Sequence, residues 1–276
     1  MGKISRTWSL MSDSWGVLRQ HKSLLVFPLM SGFCCLLLLV SFAIPIYTTG
    51  AWRLSDNEAG SGHQALYYGT LFCFYLVNYF IVVFFNSAIV ACAAARMNGD
   101  DPTLGDGLRA ALSRLPVIAG WALVSATVGL VLRMIEDRSE KIGRIVAGLL
   151  GMGWTVVSFL VVPVLVVENQ NPIAALKSST VLLKKTWGEQ LASHFSFGMV
   201  FFVLAIPAVG VIVLGLLSGS GVVIFSCIGL AVIYLILLGL VQSALQAIFQ
   251  TALYLYARDG KVPEGFRAEI LSGALS

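Results

Sequence analysis

The chain has 276 residues, of which 58% are hydrophobic and only 12% are charged. A soluble domain carries about twice that charged fraction because water must wet its surface, so the composition excludes a soluble globular protein and indicates lipid as the surrounding solvent. The net charge of +4 comes from Lys and Arg scattered in short patches beside apolar runs, which excludes the continuous basic stripe of a nucleic-acid-binding domain.

Six apolar runs follow one another along the chain, and none contains Asp, Glu, Lys or Arg. Several reach the ~20 residues that a helix needs to cross ~30 Å of hydrocarbon. We therefore predict an all-α polytopic membrane protein: a single integral membrane domain over residues 1–276, with a short cytoplasmic tail over residues 257–276. The six predicted spans are Leu24–Tyr47, Leu66–Ala95, Pro116–Leu132, Ile145–Val167, Gln190–Leu217 and Val222–Tyr256.

The third of these spans, Pro116–Leu132, is short, but its helix can continue through the charged stretch Arg133–Arg144. Opposite charges four residues apart can pair along a helix there. The predicted pairs are Arg133 with Asp137, Asp137 with Lys141, and Glu140 with Arg144. An alternative makes the third span a re-entrant loop, which would place the Lys residues near position 180 outside the cell.

The distribution of basic residues predicts the orientation, because cytoplasmic loops of membrane proteins are enriched in Lys and Arg. With six spans the termini share a side, and that side carries thirteen of the 18 Lys and Arg residues. We expect a multi-pass protein of the cell inner (cytoplasmic) membrane with both termini cytoplasmic.

A short amphipathic helix is predicted on the cytoplasmic side before each pair of spans. Apolar residues recur there at steps of three and four, as on one face of a helix. The stripes are Ile4, Trp8, Met11, Trp15 and Leu18; then Leu104, Leu108, Ala111, Leu112 and Leu115; then Ile173, Leu176, Thr180, Leu183 and Trp187.

Two of the three short helices share a start signal, Asp101-Pro102 and Asn171-Pro172, in which an N-cap side chain precedes a proline at the first helical position. The sequence therefore predicts three pseudo-repeats, residues 4–95, 101–167 and 171–256, each an interfacial amphipathic helix followed by a transmembrane pair. The alternative is that the three segments are loops with helical propensity. The candidate lipid- or partner-binding residues are Trp8, Trp15, Arg109, Arg114, Lys177, Lys184, Lys185 and Trp187.

Five uncharged amide side chains fall inside the apolar spans. Asn78 and Asn86 lie eight residues apart on the second span, and Gln242, Gln246 and Gln250 form a ladder on the last. Two interpretations stay open at this point. The amides line a pore or substrate path, or they bond across helices for roughly 1 kcal/mol each.

Catalytic and metal-binding patterns are missing from the sequence. It has no nucleophile with its base and no paired carboxylates within the spans, which hydrolysis would need. The five cysteines all fall in apolar runs without metal-like spacing, as expected of small core residues. Spans without charge also argue against an ion-coupled carrier. We expect no enzyme activity, no cofactor and no metal.

The segment "NPIAALKSSTVLLKKTWGEQL" resembles a motif of several prokaryotic membrane families, among them the membrane domain attached to some glycerophosphodiester phosphodiesterases and Yip1-like proteins. Over nearly its whole length the chain is most similar to an uncharacterised bacterial and archaeal six-helix family, a domain of unknown function. The stretches "LLVFPLMSG", "DPTLGDGLRAAL", "VVPVLVVE" and "LKKTWGE" carry that resemblance. It implies a six-helix fold and no activity, because that family has none assigned. The phosphodiesterase barrel is missing here, so its chemistry is not carried over.

The functional expectation is a non-enzymatic membrane-organising protein whose interfacial helices bind lipids or a protein partner on the cytoplasmic side. The alternative is a homo-oligomeric channel or passive transporter with an uncharged, glutamine-lined path. The expected partners are membrane lipids and further copies of the chain, and no nucleic acid.

Overall fold

A computed structural model describes residues 3–49, 61–138, 142–185, 190–260 and 262–267. Every regular element in these residues is a helix. The α-helices are α1 (Lys3–Gln20), α2 (Val26–Thr49), α3 (Ser61–Met97), α4 (Leu104–Ser113), α5 (Leu115–Arg138), α6 (Ile142–Val157), α7 (Val161–Glu168), α8 (Pro172–Lys185), α9 (Gln190–Leu217) and α10 (Gly221–Asp259). A short 3-10 helix, Lys22–Leu25, leads into α2.

Six helical segments are long and apolar enough to cross a membrane, judged by length and composition, as expected of a multi-pass membrane protein. The third span is α5, a continuous helix of 24 residues, about 36 Å long at 1.5 Å per residue, rather than a re-entrant loop. The predicted pair of Arg133 and Asp137 is present at 3.3 Å, with Glu136 as a second partner of the same arginine. The predicted pairs of Lys141 and Glu140 lie outside the described residues.

The fourth predicted span is present as one apolar segment, Ile142–Glu168, and it consists of two helices joined by a turn. α6 ends at Val157, and α7 begins at Val161 after a three-residue turn. Pro163 explains why the break falls here: proline has no N–H to bond the carbonyl four residues earlier, that of Phe159, and its ring crowds that carbonyl. The chain turns instead of continuing the helix.

The core of the molecule lies at one end of the helix bundle. α3 is its central helix and packs against α2, α4, α5, α7 and α10. α10 is buried from Ala244 to Tyr256 except at the half-buried Gln246, and α7 is buried from Val161 to Val166. We call this end, where α3, α7 and α10 finish, the packed end.

Towards the other end, large apolar side chains are exposed. On α2 the exposed stretch runs from Leu29 to Tyr47, and on α10 from Val222 to Leu237. These stretches are about 28 Å and about 24 Å long at 1.5 Å per residue, close to the ~30 Å thickness of bilayer hydrocarbon. We call them, with the exposed side chains of α9, the apolar belt.

A short helix precedes each pair of long helices, and the two predicted start signals differ in outcome. Asn171 caps α8 as predicted, because its Oδ1 accepts a hydrogen bond from the Ala174 N–H at 2.9 Å. Asp101 was the wrong cap for α4: the N-cap is Thr103, in a capping box with Asp106. Asp101 lies 3.7 Å from His21 instead.

Candidate functional site

The three short helices meet at the packed end. His21, just after α1, contacts Asp101, just before α4. Arg114, at the end of α4, donates from Nε to the Val166 carbonyl of α7 at 3.3 Å, and α8 follows α7 after a three-residue connection. α1, α4 and α8 therefore belong to one surface of the molecule.

α8 has two faces of opposite character. Ala175, Ser179 and Leu183, spaced four residues apart, are buried against the rest of the bundle. The opposite face is exposed and carries two aliphatic and two basic side chains: Ile173, Lys177, Val181 and Lys184. Neither lysine has an ion-pair partner within the part of the chain that the structure describes. Ile173 was predicted to share one helical face with Leu183, but Ile173 is exposed whereas Leu183 is buried.

α4 repeats this arrangement on a smaller scale. Gly107 and Ala111 are buried, and a methyl group at Gly107 would lie only 2.5 Å from the Cys92 sulfur, so glycine lets α4 approach α3 closely. The outer face presents Arg109, whose side chain is 84% exposed, next to the exposed Leu112.

α1 shows a similar outer face. Met11 and Leu18 are buried, whereas Trp15 is 47% exposed and Arg19 lies one turn further on, also exposed. Trp15 was predicted to share a face with Met11 and Leu18, but it is exposed whereas they are buried.

The remaining residues predicted for this surface have other placements. Arg114 was predicted opposite the apolar stripe of its helix; it is half-buried, and its guanidinium bonds the end of α7. The side chains of Trp8 and Lys185, and all of Trp187, lie outside the described residues. The side chains of Trp15, Arg109, Lys177 and Lys184 are thus exposed, whereas Arg114 makes a contact inside the fold.

Ser179 on α8 forms hydrogen bonds with backbone groups at the break between α6 and α7. Its hydroxyl donates to the Val157 carbonyl at 2.7 Å and accepts from the Leu160 N–H at 3.2 Å. Both backbone groups lose their helical partners at the turn and would otherwise be buried without a hydrogen bond. The sequence alone did not identify Ser179. A serine in an amphipathic helix does not indicate that its hydroxyl will bond the backbone about twenty residues earlier in the chain.

Glu168 closes a second polar contact at the packed end. Its Oε1 accepts from the Tyr254 hydroxyl at 2.6 Å, and Arg258 donates to that same hydroxyl at 3.3 Å. The ends of α7 and α10 are therefore joined through a carboxylate, a phenol and a guanidinium.

Three of the five amides predicted inside the spans come together in one cavity. Asn86 of α3 and Gln246 and Gln250 of α10 line a space of about 170 Å³ between α2, α3 and α10. Ser31 and Ser243 add two hydroxyl groups. The full lining, which we call the polar cavity, is Pro28, Ser31, Val82, Phe85, Asn86, Ile89, Ser243, Gln246, Ala247 and Gln250.

Gln242 and Asn78 are not among the residues that line the polar cavity. Gln242 is one turn from Gln246, and Asn78 is two turns from Asn86, both on the side away from the packed end. The polar lining therefore stops within the bundle, at the level where the apolar belt begins.

Groups of three or more His, Cys, Asp or Glu side chains that could hold a metal ion do not occur among the residues described. The chemistry of the described surface is therefore that of basic and aliphatic side chains outside and uncharged amides and hydroxyls inside.

No curated protein matches the chain. A sequence family does: its characteristic pattern matches residues 65–265, which include α4, α8 and both helices that carry the cavity amides. Because that match covers well over half of the sequence, the chain belongs to the DUF6159 family, a family of unknown function.

Proposed function

We propose that this protein is a non-enzymatic membrane-organising scaffold that binds anionic lipid headgroups through the outer faces of its short helices. The observation that carries the proposal is the exposed face of α8, where Lys177 and Lys184 alternate with Ile173 and Val181. A helix that exposes aliphatic and basic side chains together is suited to the boundary between headgroups and acyl chains.

The other two short helices support the same proposal. Arg109 and Leu112 on α4, and Trp15 and Arg19 on α1, repeat the pairing of a basic with a large apolar side chain. Tryptophan is favoured at headgroup depth. The three helices act, in this proposal, as three interfacial elements of a pseudo-repeated fold, each attached to its own pair of spans.

The proposed location is the inner membrane with the packed end in the cytoplasm, since the basic residues concentrate at that end. Anionic lipids in that leaflet attract each nearby Lys or Arg by about 1 kcal/mol. The same surface offers a docking place for a cytoplasmic protein or another copy of the chain. A distant relationship to phosphodiesterase membrane domains and Yip1-like proteins stays a proposal, and it adds no activity here.

The test compares lipid binding by the full-length protein and two charge variants in mild detergent. Phosphatidylglycerol and phosphatidylcholine are titrated, and bound lipid is counted by native mass spectrometry. Lys177→Gln/Lys184→Gln should bind phosphatidylglycerol about 30-fold more weakly, because it loses about 1 kcal/mol for each lysine. Phosphatidylcholine binding should not change.

The matched control is Arg138→Gln/Arg144→Gln, which removes two positive charges at the opposite end of the bundle. It should retain the wild-type affinity for phosphatidylglycerol. Equal weakening in both double variants would show a nonspecific effect of net charge, and unchanged binding in the lysine variant would refute the proposal.

The alternative, a homo-oligomeric channel, draws support from the polar cavity alone. Three of the five amides line that cavity within a single chain, and the lining stops before Asn78 and Gln242. A pocket that ends inside the bundle fits a bound group better than a conducting path. A channel would release a small solute from liposomes, and Gln246→Leu would change the release rate. A scaffold should leave the vesicles impermeable to that solute.

A further inference from the structure

The polar cavity contains hydrogen-bonding groups that the fold does not use. Gln250 is only 8% exposed, and neither it nor Asn86 nor Gln246 makes a hydrogen bond to another residue in the described part of the chain. Each amide offers one acceptor oxygen and two donor hydrogens. Asn86 and Gln246 are half-buried, so their amide groups can be reached from the cavity, and at the depth of the bilayer hydrocarbon a polar group without a partner costs free energy. A polar occupant is therefore expected in the cavity.

The cavity lies below the charged surface of the packed end. Ser31 is nine residues from Lys22, Asn86 is ten from Arg96, and Gln250 is eight from Arg258 along their helices. At 1.5 Å per residue these separations are about 12–15 Å. Three helices thus place the cavity at one depth, below the lipid headgroups and at the inner edge of the apolar belt.

The chemistry of the lining selects an uncharged occupant. Among the described residues, the cavity is lined by amides, hydroxyls and apolar side chains, without Asp, Glu, Lys or Arg. A phosphate would find no cation there to offset its loss of hydration. A hydroxyl group both donates and accepts, so it can satisfy an amide oxygen and an amide N–H together.

The size and the opening of the cavity indicate what remains outside it. A volume of about 170 Å³ corresponds to about five or six waters at ~30 Å³ each, enough for a glycerol-sized group but not for acyl chains. Two of its lining residues, Val82 and Ser243, are exposed. The cavity therefore opens sideways from the bundle, where an occupant with acyl chains can leave them in the bilayer.

We propose that the polar cavity holds the uncharged, hydroxyl-bearing head of a membrane lipid of the diacylglycerol type. The amides of Asn86, Gln246 and Gln250 bind the hydroxyl and ester oxygens, and the acyl chains lie along the apolar belt. This site is separate from the basic faces of the short helices and does not depend on the function proposed for them.

The experiment titrates dioleoylglycerol, free glycerol and phosphatidylglycerol into the detergent-purified full chain and measures bound ligand by native mass spectrometry. The variant Gln246→Leu/Gln250→Leu removes two amides from the cavity. It should bind dioleoylglycerol about tenfold to a hundredfold more weakly, as expected for two lost hydrogen-bonding groups. Its binding of phosphatidylglycerol should match that of the wild type, since that lipid is assigned to the lysines of α8.

Gln242→Leu is the matched control, because Gln242 is on the same helix but is not among the residues lining the cavity; it should bind dioleoylglycerol as the wild type does. Ser243→Leu places a larger side chain at the exposed mouth of the cavity and should also block binding. Because position 243 is exposed, this variant tests the proposal even if circular dichroism shows that the double variant is unfolded.

Three outcomes would overturn the proposal. The first is that the wild type does not bind dioleoylglycerol, which would leave water as the occupant. The second is equal binding by all variants, which would place the lipid elsewhere. The third is free glycerol binding as tightly as dioleoylglycerol, which would assign the cavity to a soluble polyol.

Discussion

Ser179 shows how one hydroxyl can support a broken membrane helix. Its Oγ bonds both sides of the turn, the Val157 carbonyl and the Leu160 N–H. In Ser179→Ala both backbone groups stay buried but lose this partner, which costs about 1–3 kcal/mol. We expect a lower midpoint of thermal unfolding in detergent, followed by circular dichroism, with helix content at low temperature unchanged.

The neighbouring serine is the control for this prediction. Ser178 is half-buried, and its hydroxyl donates to the side chain of Gln170 at 3.0 Å rather than to the broken span. Ser178→Ala should therefore lower stability by no more than about 0.5–1 kcal/mol. Equal losses in the two variants would mean that Ser179 does not stabilise the break.

At the scale of the elements, the stability of the capping box at the start of α4 depends on pH. Thr103 donates to the Asp106 carboxylate from its hydroxyl at 2.6 Å and from its backbone N–H at 3.0 Å. These hydrogen bonds favour the ionised form and hold the pKa of Asp106 below its usual value. The cap is therefore complete above the ordinary pKa of an aspartate and is lost as the pH falls through the lowered pKa of Asp106.

The variant Thr103→Val removes the hydroxyl and retains the shape of the side chain. The pKa of Asp106 should rise toward its ordinary value, as followed by the carboxyl ¹³C shift, with Asp106→Asn identifying the resonance. Ser113→Ala is the control, because that hydroxyl donates to the Ala110 carbonyl within the same helix and should leave the titration unchanged. A pKa that stays low in Thr103→Val would assign the shift to another cause.

The helices followed from local patterns, whereas most of their contacts did not. The spans were predictable because hydrophobicity and length determine them, and α9 begins and ends at the predicted residues. The break in the fourth span lies next to Pro163, where a kink is expected from the sequence. The cap at Thr103, by contrast, depends on which of several permitted local arrangements the tertiary contacts select. The glutamine ladder was visible in the sequence, but only packing shows that Gln250 lines a cavity and Gln242 does not.

At the scale of the whole molecule, the two ends of the chain meet. Arg267 donates to the Asp13 carboxylate at 2.9 Å, and Gly265 sits against Val17 in the left-handed region, with φ of 89°. The Asp13 side chain is only 10% exposed. The contact places the N-terminal helix and the C-terminal segment on the same side of the bundle.

This arrangement gives a prediction about orientation in the cell. If the packed end is cytoplasmic, Lys184 faces the inside and Arg138, at the far end of α5, faces the outside. A membrane-impermeant maleimide added to intact cells should label Arg138→Cys but not Lys184→Cys, and permeabilised cells should label both. The wild type measures the background, since its five cysteines lie in apolar helices. Labelling of Lys184→Cys in intact cells would reverse the orientation and remove the anionic cytoplasmic leaflet as the partner of α8, because its lysines would then meet the opposite leaflet.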